Sequence, residues 1–486
     1  MPTRETTNTP IPFSSYDRSG LVAGIMHVGV GNFHRAHQAA VIDELLEHGQ
    51  ARDFAICGVG ILPGDRAMRD TLREQDGLYL LELRHPDGRR EQRVIGALID
   101  YLYLPDDPAV VVERMAGPAT RIVSLTITEG GYNTDFTTGE FDVANAGIRN
   151  DLNDPTRPTT VFGLIVEALR RRRDAGQVPF TVMSCDNLPM NGDVTRNAVV
   201  SFAAARDPEL GAWIAERVAF PNSMVDRITP ATTDADRAYV RGELSIADAW
   251  PVACEPFFQW VLEDAFTDGR PPFENAAVQL VDDVAPYELM KLRLLNGSHQ
   301  ALAYFGALAG YEFVEEAMAD PDLVKFLEGF MAEVLPTVPP VPGIDLRRYQ
   351  ADLLQRFSNP AIRDTLARLC ADSSNRIPKF VVPSIIDNLA AGRSARFATA
   401  VCASWARYAA GIDETGTPIA IADAQAEERR LAAAEERARP GAFVQDQRLF
   451  GPLGSNAEFV AAFHAALETI WTHGARATYQ RLRPTG

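Results

Sequence analysis

Lysine is scarce in this chain. Of its 47 basic residues only Lys291, Lys325 and Lys379 are lysine; everywhere else the positive charge is arginine. Arginine keeps its proton in any protein setting, whereas a lysine amine gives one up when its surroundings disfavour the ammonium. Lys291 lies in Lys291-Leu292-Arg293-Leu294-Leu295-Asn296-Gly297-Ser298-His299, an apolar segment carrying an amine, an amide and an imidazole. That combination reads as a proton-transfer site.

In an α-helix Asn296 falls about 140° and His299 about 80° around the axis from Lys291. Asn296 and His299 are i, i+3 neighbours, and Glu288 sits three residues before Lys291. Leu289, Leu292, Leu295, Leu302 and Phe305 mark the helix as substantially buried. The plainer reading is a buried helix with incidental polar residues. Against it stands the cost: buried amide and ionisable groups lose a few kcal/mol unless paired, and Gly297 in mid-helix loses about 1 kcal/mol more.

These residues must be positioned by a large chain. At 486 residues it exceeds what one core usually holds, and two domains are expected. A net charge of −18 argues against nucleic acid or an anionic membrane as partner. No run reaches the roughly 18 apolar residues of a membrane span, and Met1 to Gly20 lacks a secretory apolar core. Five scattered cysteines read as free thiols of a reducing cytoplasm. Only His34 and His37 are close together in sequence, without a cysteine nearby, so no metal is expected.

Gly24 to Gly31 is an apolar run ending in glycines, and Phe33 to His48 has helical spacing. Strands are expected at 54–62, 121–128 and 180–184, a hairpin over 79–95 around His85-Pro86-Asp87-Gly88, and a helix over 161–176. Alternating strands and helices imply a doubly wound α/β sheet of Rossmann type. From about residue 284 only helical periodicity remains, through 286–310, 321–334, 346–370, 394–411 and 456–481. The expected division is therefore 1–283, a dinucleotide-binding domain, and 284–486, a mostly α-helical substrate domain. Arg170 to Arg173 and the Glu/Arg-rich stretch 427–438 read as solvated helix faces.

Gly29-Val30-Gly31-Asn32-Phe33-His34 stands where a strand turns into a helix. There glycines let the backbone approach a pyrophosphate; His34 takes the place of a third glycine. Asp65, in Pro63-Gly64-Asp65-Arg66, is the candidate to grip the adenosine ribose, several residues later than usual. A carboxylate there favours NAD over NADP, although Arg66 beside it blurs the distinction. Two further strands end in polar groups at Thr128-Glu129-Gly130-Gly131 and Cys185-Asp186-Asn187, which belong to the same crevice beyond the strands' carboxyl ends.

Taken in order, Gly29-x-Gly31-Asn32-Phe33-His34-Arg35-Ala36-His37, Thr126-Ile127-Thr128-Glu129-Gly130-Gly131-Tyr132, Ser184-Cys185-Asp186-Asn187, Phe220 to Pro230 and Lys291…Asn296…His299 resemble the polyol-specific long-chain dehydrogenases. The likeness runs from about residue 20 to the C-terminus. Val341 to Leu346 and Cys254 to Phe257 point to its mannitol-oxidising branch. The resemblance implies an NAD-dependent, metal-independent enzyme interconverting D-mannitol and D-fructose, with D-arabinitol or fructuronate as alternative substrates. It implies Lys291 as general base, Asn187 and Asn296 as donors to the alkoxide, His299 as substrate-positioning group and Glu288 as proton relay. Cofactor contacts would come from Gly29, Val30, Gly31, Asn32, Phe33, His34, Arg35, Asp65, Thr126, Glu129 and Asp226. Arg368, Arg376 and Lys379 would join Asn187, Lys291, Asn296 and His299 in binding the sugar chain. Oligomeric state stays open, a monomer being plausible. A catalytically silent NAD-binding sensor is the alternative from another class, and the complete set of Lys291, both asparagines and His299 argues against it.

Overall fold

Apolar runs in the first half of the chain become strands buried on both faces, as a covered parallel sheet requires. In this computed structural model, which describes residues 13–135 and 138–482, the strands are β1 (Ile25–Val28), β2 (Ile56–Gly60), β3 (Tyr79–Arg84), β4 (Arg90–Ile95), β5 (Leu98–Tyr103), β6 (Ile122–Leu125), β7 (Thr181–Ser184), β8 (Ser223–Asp226), β9 (Val252–Cys254), β10 (Gln259–Glu263) and β11 (Val278–Val281). The opening residues 1–12, part of the stretch read as lacking a secretory core, lie outside the described residues.

The main sheet has the order β5-β2-β1-β6-β7, every pair parallel. In order along the chain that is third, second, first, fourth, fifth: a doubly wound Rossmann sheet whose winding reverses between β1 and β6. Register matters here. Val28 pairs with both Val59 and Leu125, and Leu125 with Ser184, so four strands finish level with one another. β3 and β4 form the expected hairpin, extended by β9, while β8, β10 and β11 make a further small sheet.

The chain divides into two compact units, Met1–Ala285 and Pro286–Gly486. The second is helical throughout its described elements. Phe305, Phe326 and Phe397 pack edge-on and tilted in sequence in its core, and Trp405, Phe443, Phe450, Phe459 and Phe463 form a second aromatic group. Asp320 caps the helix Pro321–Val334 and accepts from Tyr479 Oη at 2.6 Å and Arg476 Nη1 at 2.9 Å, which ties down the last helix. Among the described residues no helix is long and apolar enough to cross a membrane.

Several expectations are corrected. The segment 346–370 is two helices, Leu346–Phe357 and Leu366–Cys370, because Pro360 bars the helical conformation at Asn359 and leaves no amide to continue the ladder. The last helix is interrupted at Gly474, where φ is +86°. Neither charged stretch is simply solvated. Arg172 is buried, its guanidinium donating to the carbonyls of Ala116, Gly117, Thr120 and Val178 above the Phe180 ring. Arg429 and Glu436 are buried too: Arg429 pairs with Asp446 at 2.7 Å, and Glu436 accepts from the amides of Gly441 and Phe443.

Replacing Arg172 by Met keeps the apolar stem but takes a charged donor from four carbonyls, of which Gly117 O keeps the amide of Thr120. Urea unfolding should show a loss of about 3 kcal/mol. A loss below about 1 kcal/mol would show that the loops around residues 116–120 and 178 do not depend on this guanidinium.

Candidate active site

The level strand ends bring four loops to one edge of the first unit. Gly29 adopts φ +93°, and a Cβ there would sit 2.2 Å from Thr126 O, so only glycine can make this turn. Gly31 differs: a Cβ would meet nothing nearer than Gly29 O at 3.9 Å. A side chain would therefore meet little protein there, which leaves room for a group to approach the backbone. Beneath the turn, His27 Nδ1 lies 2.8 Å from Ser124 Oγ and Nε2 2.9 Å from Thr126 Oγ1, and the Thr126 hydroxyl donates to Gly29 O at 2.7 Å. His27 is fully buried, and desolvation pushes its pKa down to about 3.

The turn residues divide by direction. His34 is buried and stacks on His27 with ring centroids 3.5 Å apart. Phe33, half-buried, stacks on His37. Arg35 is buried and donates to Trp250 O and to Asn32 Oδ1 at 2.7 Å, its cation over Tyr79. The Asn32 amide donates to Pro230 O and Thr232 Oγ1, both at 2.9 Å. The side chains of His34, Arg35 and Asn32 thus engage the protein itself and shape the turn.

Asp65 opens the helix Asp65–Glu74, and its Oδ2 accepts from the amides of Ile61 and Leu62, both at 2.8 Å. Asp186 clamps two other loops together: it accepts from Ile127 N at 3.0 Å, Thr128 N at 2.8 Å and Tyr132 Oη at 2.6 Å. This holds Thr128 at φ +62°, with Glu129 next to it and exposed Asn187 next to the clamp. Asp226 ends β8 and is buried. The segment Phe220 to Pro230 is largely a fastener. Asn222 Oδ1 accepts from Gly192 N and Asp193 N, capping the helix Asn191–Arg206, while Pro230 O receives Asn32.

In the second unit the expected helix has a different pitch. Residues Lys291–Asn296 form a π-helix between α-helical flanks, and Gly297 N donates to Leu292 O, five residues back. At about 4.4 residues per turn, Asn296 comes within about 50° of Lys291 rather than 140°. Continuing in α geometry puts His299 nearly over Lys291, and Glu288 lies about 60° away, on the same side as Asn296. All four side chains therefore share one face, and all four are buried. Gly297 lies on another face, where a Cβ would press on Phe330 and on Phe380 O, each at 3.2 Å.

Among the described residues, Asn296 Nδ2 and His299 Nε2 have no hydrogen-bond partner. Phe357 packs on the His299 ring, centroids 4.5 Å apart. Desolvation first, then Arg368, Arg356, Arg376 and Lys291, hold His299 well below its ordinary pKa and so neutral. Gln300 Nε2 and Arg376 Nη1 both donate to Leu369 O, fastening Arg368 and Arg376 to the helix. Arg368 forks onto Asp364. Lys379 is half-buried, further along the helix Ser373–Phe380 that carries Arg376. Arg356 went unnoticed in the sequence. Its signal was available: Tyr349, Leu353, Arg356 and Phe357 are the buried stripe of one helix, and a guanidinium on such a stripe needs a reason.

The profile of the mannitol dehydrogenase Rossmann domain matches residues 23–275, and that of the mannitol dehydrogenase C-terminal domain matches residues 283–471. A mannitol 2-dehydrogenase of Cereibacter sphaeroides is 47% identical over 473 residues, 96% of this chain and 98% of its own. One from Phaeosphaeria nodorum is 46% identical over 476 residues, 97% of this chain and 83% of its own. Among solved structures, a Pseudomonas fluorescens mannitol 2-dehydrogenase in ternary complex with NAD and D-mannitol superposes with TM-score 0.89 at 47% identity, covering 97% of this chain and 96% of its own. A substrate-free D-sorbitol dehydrogenase gives 0.90 at 40% identity, covering 99% and 100%.

The buried histidine under the glycine turn has a pH consequence. Unfolded, His27 takes a proton below its ordinary pKa of 6.5; folded, it resists down to about 3. Its contribution is therefore intact above pH 6.5 and declines as the pH falls from there. Between pH 6 and 5 the unfolding free energy of the wild type should drop by about 1 kcal/mol more than that of His27→Gln. Equal slopes for the two proteins would mean that His27 is protonated in the folded state.

Proposed function

Because the chain belongs to the mannitol dehydrogenase family through both of its units, we propose that it is an NAD-dependent polyol dehydrogenase that oxidises D-mannitol to D-fructose and runs the reverse reduction. The observation that carries the reading is the single buried helix face of Glu288, Lys291, Asn296 and His299, on which Asn296 Nδ2 and His299 Nε2 have no partner among the described residues. Bound NAD supplies the acceptor for a hydride. The residues of the chain must then remove a proton and steady a developing alkoxide.

Lys291 Nζ is the base that takes the hydroxyl proton. A base must stand unprotonated, and the burial of Lys291 works against an ammonium. The amides of Asn187 and Asn296 donate to the substrate oxygen as negative charge builds on it. Neutral His299 orients the hydroxyl through Nε2, and Glu288 carries the proton on from Lys291. The glycine turn holds the pyrophosphate through its backbone, and Asp65 receives the adenosine ribose hydroxyls. Arg368 and Arg376 line the end of the sugar chain, with Lys379 beside them.

The occupied fork of Arg368 favours a neutral polyol over a uronate, whose carboxylate would have to displace Asp364. The similarity to a D-sorbitol dehydrogenase makes sorbitol the second substrate to test. Turnover should be highest on D-mannitol in a panel with D-sorbitol, D-arabinitol and fructuronate. Strong uronate reduction without mannitol oxidation would overturn the substrate. Lys291→Ala should retain NAD affinity within a few-fold by calorimetry while kcat falls by about a thousandfold or more. A variant with ordinary turnover would remove Lys291 from the chemistry.

A further inference from the structure

We propose that Asp106 sets the cofactor preference of this chain, by tying up the two guanidiniums beside Asp65 that would otherwise receive a 2′-phosphate. The inference rests on the reading that a dinucleotide binds along the carboxyl edge of the main sheet, and it concerns only the adenosine end.

Where β2 stops, Gly60 pairs with Tyr103 of β5. A Cβ on Gly60 would stand 2.7 Å from Asp65 Cβ and 3.2 Å from Tyr103 Cδ2, so both side chains crowd this one point. Arg66 and Arg69 follow Asp65 in the first turns of its helix, and their guanidinium carbons lie 5.1 and 5.3 Å from the Tyr103 ring centroid. Asp106, three residues beyond β5, accepts from Arg66 Nη2 at 3.1 Å and from Arg69 Nη1. Arg69 Nε is further occupied by Asp70 at 2.5 Å.

A dinucleotide with a free ribose hydroxyl needs only an acceptor here, which Asp65 supplies. One bearing a 2′-phosphate brings a dianion against Asp65 and needs cationic forks to offset it. The forks exist, two residues from different helical turns stacked over one aromatic ring, yet they are engaged. Three carboxylates (Asp65, Asp70, Asp106) stand against Arg66, Arg69 and, acting on Asp106 through space, Arg73, so the cluster offers an anion no net positive charge. Arg66 and Asp106 are both exposed, so this lock is held by charge and geometry, with little burial. Removing one negative charge leaves the cluster net positive and releases Arg66.

Asp106→Asn keeps the shape and deletes the charge. Calorimetry on the full chain with 5′-AMP and 2′,5′-ADP reads the effect without turnover. The expected result is a gain on the order of tenfold for 2′,5′-ADP, with 5′-AMP unchanged within about twofold. The ratio of kcat/KM for NADP over NAD should rise in step. Adding Arg66→Ala and Arg69→Ala to the variant should abolish the gain. An unchanged 2′,5′-ADP affinity, or a parallel fall for both nucleotides as a merely structural role would give, overturns the proposal. Failure of the wild type to bind either NAD or 5′-AMP would instead sink the parent reading, and this inference with it.

Discussion

Taking an amine, an amide and an imidazole out of water is unfavourable unless each meets a partner, and that penalty organises the second unit. Lys291, Asn296 and His299 sit on a helix packed among aliphatic and aromatic side chains, where a random arrangement would be selected against on stability alone. The surrounding structure answers the penalty at the periphery and leaves it standing at the centre. Arg293 reaches Thr337 O and Asp387, Arg368 reaches Asp364, and Arg376 reaches backbone carbonyls. Asn296 Nδ2 and His299 Nε2 do not share in this settlement. Buried polar atoms without protein partners suit a site for a hydroxylated small molecule, whose hydroxyls can pair with them in a low-dielectric setting.

The π-turn is the local device. A five-residue spacing is awkward for an α-helix, which spreads the pair across its surface. One wider turn absorbs the extra residue and returns both flanks to ordinary pitch. In the first unit the equivalent device is register: strands that end level deliver their loops to one edge, and the Asp186 carboxylate fastens two of those loops through backbone amides. Each unit thus relies on backbone geometry to gather its polar groups, with side-chain clamps acting second.

Much of this was legible in the residues, for identifiable reasons. β1, β6 and β7 are short apolar runs bounded by turn residues, and the glycines after β1 carry their conformational demand openly. Lys291 was visible because arginine takes nearly every other cationic position. What could not be read was anything set by pairing at a distance. β5, with its mixed Leu98-Ile99-Asp100-Tyr101-Leu102-Tyr103, and the three-residue β9 carry too little periodicity alone. Arg172 and Arg429 look like solvent-facing charge until loops fold over them. The π-turn also left no trace, because pitch is decided by packing around Gly297 and Phe330 as well as by the local sequence. Phe220 to Pro230 resembles a family signature in the sequence, and in the fold its Asn222 and Pro230 join a helix start to the glycine turn.

The five cysteines have a practical consequence. Cys57, Cys185, Cys254, Cys370 and Cys402 are all buried and unpaired, and burial lifts every one of these thiols above its ordinary pKa. A thiol that is both sheltered and protonated reacts slowly with maleimides and iodoacetamides. A cysteine installed at an exposed position such as Leu62 or Val178 would therefore take up a fluorophore or spin label ahead of any native one. The wild-type background is already suited to distance measurements in solution, with no need to strip its sulfur first.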